Sequence, residues 1–318
     1  MLLLSLIGCL NDFGIQALPK EPPGGLDSAA DSGSADSDPP ADSDPPADSD
    51  PPDPVDDTGA PDSPPEDTAP VEDPPDDPPP ADDCDDTSDL IYALSRDDDQ
   101  LYTFDPATLT FAPLGEVDCN TTLYPQSMAI SRDGTAYIRY EDDALYALDL
   151  ATMRCSPTGY SDRRSGFGSF GMGYATDSAN TWRDRLYVAN DREVGTLDPA
   201  AWTISTIGRL PSQAELTGNA DGQLWAMLPL ESPAELRRIH LTRGTTEETL
   251  SLPAFPDPST IDTFAFATHS GNFYLFVRQS GMGNSTDVYR VERSGAMRRV
   301  LQDSGLNIVG AGISTCSE

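Results

Sequence analysis

The chain has 318 residues and a formal net charge of −35, from 54 acidic and 19 basic side chains. So large an acidic excess repels nucleic-acid phosphates and anionic headgroups, and no basic stripe interleaved with aromatics offsets it, so no nucleic-acid partner is expected. No apolar run approaches the ~18 residues that a helix needs to cross a bilayer.

The first element is the apolar start, Met1-Leu-Leu-Leu-Ser-Leu6-Ile7-Gly8-Cys9. Leu6-Ile7-Gly8-Cys9 resembles the lipobox of bacterial lipoproteins, in which a small residue precedes a Cys that is acylated and becomes the new N-terminus. Residues 1–9 are therefore expected to act as a lipoprotein signal segment, with Cys9 as the lipidation site and the lipid bilayer as partner. Two acyl chains anchor stably where one binds only marginally. No Lys or Arg precedes the apolar stretch, which is shorter than the usual ~7–15 residues of a signal core, so the true start codon is left open. Leu10 after the Cys, where an Asp commonly retains lipoproteins in the inner membrane, leans toward an outer-membrane address in the cell envelope.

Residues 10–87 read as a disordered linker. Residues 1–87 hold 24 Asp or Glu against Lys20 alone, and 19 of the 30 prolines. Such a composition cannot bury enough apolar surface to offset ordering entropy. The hexad Ala-Asp-Ser-Asp-Pro-Pro occurs three times in tandem, at 35–40, 41–46 and 47–52. Proline pairs favour polyproline II and like charges extend it, which suits a spacer between membrane and head. A calcium loop would need a sharp Gly-permitted turn and a closing Glu, and the prolines hold this chain open.

Residues 88–318 read as a single all-β head. One strand recurs as Leu101-Tyr-Thr-Phe-Asp105, Leu145-Tyr-Ala-Leu-Asp149 and Val194-Gly-Thr-Leu-Asp198. Weaker copies follow as Leu236-Arg-Arg-Ile-His240 and Val288-Tyr-Arg-Val-Glu292, with start-to-start spacings of 44, 49, 42 and 52 residues. A period in this range marks one small sheet built repeatedly, as in a β-propeller. A short inner strand rich in small residues precedes four of the hairpins, at 127–131, 170–174, 214–217 and 264–267, and a fifth copy sits at the C-terminus, at 309–313. Turns at Asp133-Gly134, Asp221-Gly222 and Ser270-Gly271 lead to a second strand that carries Tyr92, Tyr137, Tyr187, Trp225 and Tyr274 in one common slot. The runs after Asp105, Asp149 and Asp198 read as Asp-initiated turns into an outer strand.

The first repeat lacks an inner strand and the last inner strand, 308–314, has nothing after it. Pairing the two closes a five-bladed ring and removes exposed sheet edges. Six blades, with 155–185 as extra structure, is the alternative. Four cysteines remain, and four permit three pairings. Cys84 with Cys316 would clasp the closure, and Cys119 with Cys155 would tie adjacent blades. The chain-entropy model assigns the two roughly 5 and roughly 4 kcal/mol.

The run Gly166-Phe-Gly-Ser-Phe-Gly-Met-Gly-Tyr174, the segment Ala214-Glu-Leu-Thr-Gly218 before Asp221-Gly-Gln-Leu224, and the ending Ile308-Val-Gly-Ala-Gly-Ile-Ser-Thr-Cys316 together resemble uncharacterised lipoproteins of myxobacteria and related deltaproteobacteria. That resemblance covers the layout of lipobox, Asp/Pro/Ser-rich linker and propeller-like head. It implies architecture and address, and no activity.

Chemistry has little footing in the sequence. His240 ends a third strand and His269 precedes a turn, and neither sits in a nucleophile motif. The glycines at 166–173 lead into a strand rather than a helix N-terminus, so no phosphate loop is read. No Cys-x-x-Cys spacing exists, and no metal or cofactor is expected. Glu215 on an inner strand and Asp262 just ahead of another are candidate funnel carboxylates, as a glycoside hydrolase or lyase would need. Tyr124, Tyr160, Phe167, Tyr174 and Trp182 are loop aromatics that either pack between blades or face a ligand. The expectation is non-catalytic binding of a protein or glycan at the envelope, with a propeller enzyme as the alternative.

Overall fold

The computed structural model describes residues 90–178, 183–281, 283 and 285–316. Cys9, the linker at 10–87, Cys84 and Trp182 lie outside the described residues. The described chain forms five antiparallel four-stranded sheets.

The first blade takes β1 (Ile91–Ser95), β2 (Gln100–Asp105) and β3 (Thr110–Glu116). The second is β4 (Pro125–Ile130), β5 (Thr135–Tyr140), β6 (Leu145–Asp149) and β7 (Arg154–Pro157). A one-turn helix, α1 (Asp162–Ser165), leads to the third, β8 (Gly171–Thr176), β9 (Asp184–Ala189), β10 (Glu193–Asp198) and β11 (Thr203–Arg209). The fourth is β12 (Glu215–Gly218), β13 (Leu224–Leu228), β14 (Ala234–Ile239) and β15 (Thr246–Leu252). A 3-10 turn at Pro258–Thr260 precedes the fifth, β16 (Ile261–His269), β17 (Asn272–Gln279), β18 (Asp287–Val291) and β19 (Met297–Leu301). Finally β20 (Ile308–Gly312) returns to pair with β1, aligning Tyr92 with Gly312 and Leu94 with Gly310. The chain is a five-bladed β-propeller closed by its last strand. The described residues of 155–185 supply the end of β7, α1, β8 and the start of β9 rather than a sixth blade.

Burial explains why the strand types differ. The second strands β1 and β13 are buried along their whole length, because a blade packs on both of its faces. Outer strands such as β3 are largely exposed and read as mixed polar sequence. The apolar residues gather in five clusters, one at each blade–blade interface. Inner strands meet in the cycle β20, β4, β8, β12, β16 and back to β20. Glycine permits that approach, since a Cβ on Gly173 would stand 2.6 Å from the Leu216 backbone.

Turns follow the sequence closely. Asp105 and Asp198 accept from backbone N–H groups two residues on, Asp149 from one three residues on, all at 2.8–2.9 Å. Each turn closes on a residue in the left-handed region, Leu109, Met153 or Trp202. His240 stands in for that Asp in the fourth blade, where Nδ1 faces the N–H of Thr242 at 3.3 Å and Gly244 supplies the positive φ. It is a turn residue. Cys119 and Cys155 form a disulfide with a Cα–Cα distance of 4.8 Å, tying the entry of the second blade to its outer strand. Cys316 is also disulfide-bonded. Its expected partner, Cys84, is not among the described residues.

Candidate functional site

Two openings lie at opposite ends of the inner strands. At the end where these strands begin, an axial funnel of about 150 Å³ is lined by Gln126, Arg139, Glu215 and Asp262, among others. The two carboxylates expected near the channel mouth are thus brought to one funnel, but each is committed internally. Glu215 is 5% exposed, and its Oε2 accepts from Ser127 Oγ at 3.0 Å, across β8 to β4. It also packs on β8, where a Cβ on Gly171 would stand 2.8 Å from the Glu215 carboxyl carbon. Burial pushes its carboxyl up to about 8, against the opposing pull of the Ser127 hydrogen bond and the Arg139 charge. Burial thus favours the neutral form of Glu215, which touches three inner strands. Below it, the space along the axis is about 10 Å³, at the margin of what one water needs.

Asp262 pairs with Arg278 at 2.6 Å. Arg139, 1% exposed, hydrogen-bonds Gln126 and Asp143 and lies 5.3 Å over the Phe170 ring. Burial holds its guanidinium below the usual range, opposed by the fields of Tyr160, Glu215 and nearby Asp residues. Arg96 at the rim pairs with Glu141 at 2.6 Å and covers Tyr124 at 4.6 Å. The funnel's principal charges are answered from within the protein.

The second opening is a cleft of about 620 Å³ between the second and third blades, beside the hairpin that joins β4 to β5. Tyr137, Tyr174, Leu186, Leu197 and Pro199 make its apolar surface, and Arg132, Asp133, Asp184, Arg185 and Asp198 its polar one. Tyr137 and Tyr174 stand with ring centroids 6.1 Å apart and planes tilted by 35°. Burial, the main cause, raises both phenols, so they remain neutral. At the back, Asp184 accepts from Thr315 Oγ1 at 2.6 and 2.7 Å and lies 3.5 Å from Arg132 Nε. Burial raises the Asp184 carboxyl, while Thr315 and Arg132 oppose that shift.

The cleft exists because one interface is underfilled. Each slot aromatic faces the next blade, where the residue after the third-strand pattern is Pro106, Leu150, Pro199, Leu241 or Arg293. Leu150 packs on the cluster that holds Tyr92, Leu241 on the cluster that holds Tyr187, and Arg293 lies 4.6 Å over the Trp225 ring. Against Tyr274 the first blade instead brings Phe104, with ring centroids 5.9 Å apart. Against Tyr137 the third blade brings Leu197, Pro199, Tyr174 and the edge of Trp202, whose ring centroid lies 6.0 Å away, and the cleft opens beside them. Tyr137 is accordingly the half-buried member of a set whose other four are buried.

Of the loop aromatics, Tyr160 and Phe167 are buried packing residues. Tyr124 is 48% exposed beside the funnel, and Tyr174 lies on β8 rather than in a loop. His269 meets the edge of Tyr274 at 6.4 Å and has no nucleophile beside it in the described contacts. The cleft was not foreseen from sequence; its signal is Pro199 at the position of Leu150, Leu241 and Arg293, combined with Leu197 where the first blade, which has Pro106 there, carries Phe104.

These features define a five-bladed propeller with a closed axis and an open inter-blade cleft. No protein-family model matches the chain, and no curated protein is significantly similar to it. Solved structures similar to it include a protein of unknown function from Bacteroides thetaiotaomicron VPI-5482, at 14% identity and a TM-score of 0.42, covering 68% of this chain and 56% of that one. A protein of unknown function from Bacteroides caccae shares 9% identity with a TM-score of 0.39, over 70% of this chain and 97% of its own. A chain of the mitotic checkpoint complex is similar at 11% identity and a TM-score of 0.37, over 72% and 78%. The chain thus spans little more than half the length of the first of these.

Proposed function

We propose that this protein is a bacterial envelope lipoprotein, tethered through acylated Cys9 and an Asp/Pro/Ser-rich spacer, whose propeller binds a protein or glycan without catalysis. The observation that carries the binding reading is the contrast between the openings: the funnel is small and its charged groups are held by partners in the fold, while the cleft, about 620 Å³, presents an amphipathic surface to solvent. The lipobox-like Leu6-Ile7-Gly8-Cys9, Leu10 and the composition of residues 10–87 support the outer-membrane tether. The resemblance to lipoproteins of myxobacteria and related deltaproteobacteria points the same way. In cells given labelled palmitate, the full chain is expected to incorporate label and fractionate with the outer membrane, and Cys9→Ala to abolish both. Label retained in that variant would sink the anchor. For the head, saturable retention on a glycan or peptide array is the expected result.

A second reading, a funnel hydrolase or lyase, draws on one observation: a carboxyl poised at about 8 has the pKa of a general acid. Its would-be partner Asp262 is held by Arg278. Turnover of any glycoside by the full chain, lost in Glu215→Gln with the fold retained, would reverse the order of the two readings.

A further inference from the structure

The cleft between the second and third blades has a chemistry specific enough to name a ligand class. Its volume, about 620 Å³, lies within the roughly 300–1,000 Å³ usual for small-ligand pockets. It lies beside Tyr137, the half-buried slot aromatic, where the third blade carries Pro199 with Leu197 while the first blade's Pro106 is accompanied by the larger Phe104.

Most of its charges are already answered. Arg132 and Asp184 face each other, Asp198 accepts from Ala200 N at 2.8 Å, and Asp133 accepts from Thr135 N at 3.1 Å and from Ser131. Arg185 is exposed at the rim. The opening therefore combines an aromatic and aliphatic bed with hydrogen-bonding groups of both kinds and little net field. A hydrocarbon ligand would strand those carboxylates against apolar atoms. A phosphorylated ligand would meet three carboxylates against two guanidiniums. A ligand with an apolar face and a hydroxylated edge satisfies both surfaces, and a pyranose ring is that shape.

We propose that this cleft is a subsite for a neutral sugar unit of a glycan chain, with Tyr137, Leu197 and Pro199 against the ring face and Arg185 and Asp133 toward its hydroxyls. The inference rests on the binding reading above and narrows it from an open choice to one site and one ligand class.

The test uses the full chain with cellotriose, maltotriose and chitotriose as neutral probes, trigalacturonate as the charged one, and a random peptide library as the protein-like arm. At least one neutral trisaccharide is expected to bind saturably. Pro199→Leu, which grafts the second blade's turn residue into the third, should weaken it by about tenfold or more, and Arg185→Ala by a smaller factor. Arg298→Ala on β19, remote from the cleft, should leave affinity unchanged. Circular dichroism and a thermal midpoint on each variant separate lost binding from lost fold, and Arg185→Ala decides the matter if Pro199→Leu fails to fold. Neutral-sugar binding indifferent to both cleft variants would overturn the site. Binding of trigalacturonate or peptides alone would overturn the ligand class and leave the binding reading standing. No saturable ligand in any arm would overturn both.

Discussion

The axial funnel and the inter-blade cleft are built from similar residue types and do opposite things. Each has arginines, carboxylates and aromatic rings. In the funnel they are neighbours of one another: Glu215 with Ser127, Arg139 with Gln126 and Asp143, Asp262 with Arg278. In the cleft Asp184 holds Thr315 and Arg132 at the back wall, Asp133 and Asp198 are held by their own turns, and the apolar surface with Arg185 at its rim faces solvent. A polar group satisfied within the fold acts on stability, and one left to water is available to a ligand. The comparison therefore sorts substitutions: funnel changes should move the unfolding free energy, and cleft changes should move affinity.

The largest expected effect is at Arg139. Replacing this buried side chain by Ala removes two hydrogen bonds and its packing on Phe170, and should destabilise by about 3 kcal/mol in chemical denaturation. A loss below about 1 kcal/mol would mean the funnel is less tightly internal than described. Next is Glu215→Gln, which mimics the protonated side chain. Because the folded carboxyl is raised to about 8 from an ordinary value near 4.5, the unfolded chain releases its proton first as pH rises. Wild-type stability from this group is full below about pH 4.5, declines from there, and has been lost once pH passes about 8. The variant should lack that decline and be the more stable protein above neutrality, on the order of a few kcal/mol. Parallel stability–pH curves for the two proteins would refute the neutral-acid description.

Asp184→Ala comes third and tests the boundary between the two behaviours. It strips Thr315 and Arg132 of a shared acceptor, which should destabilise by about 1–3 kcal/mol. It should also disturb the last described residues, which rest on this side chain. A midpoint unchanged in thermal unfolding would place Asp184 with the solvent-facing groups instead.

The fold was legible because propeller closure is written in repeated, local signals. The third-strand pattern ending in Asp105, Asp149 and Asp198 fixes register. Glycines in β8 and β20 mark the crowded axis, and the unpaired first and last strands predict the β1–β20 pairing. The location of Glu215 and Asp262 at one funnel was also legible, since inner-strand position alone sets it. What those carboxylates do was not, because their partners Ser127 and Arg278 are distant in sequence or unmarked by any motif. The cleft was harder still. Pro199 reads locally as an ordinary turn residue after Asp198, and only the assembled ring shows that the same position faces an aromatic of the preceding blade. The missing signal lay in comparing one turn position across blades rather than reading each turn by itself.

That comparison gives the smallest expected change in stability and the sharpest test. Leu at position 150 follows Asp149 in a turn that matches the one after Asp198, and both turns close on a left-handed residue, Met153 and Trp202. Pro199→Leu should thus preserve the turn, while its side chain reaches toward Tyr137 as Leu150 packs on the cluster that holds Tyr92. Burying part of a leucine favours the variant by roughly 1 kcal/mol, and losing the proline's restraint on the unfolded chain opposes it by about 0.4–1 kcal/mol. The net change should lie within about 0.5 kcal/mol of zero in denaturant titration. A protein that keeps its stability while losing its ligand would show that the third blade carries a proline where an apolar cover would fold equally well. The opening over Tyr137 is then a feature of function, because folding alone gives no reason for it. A clear gain in stability with affinity unchanged would instead mark the cleft as a packing fault and return attention to the funnel.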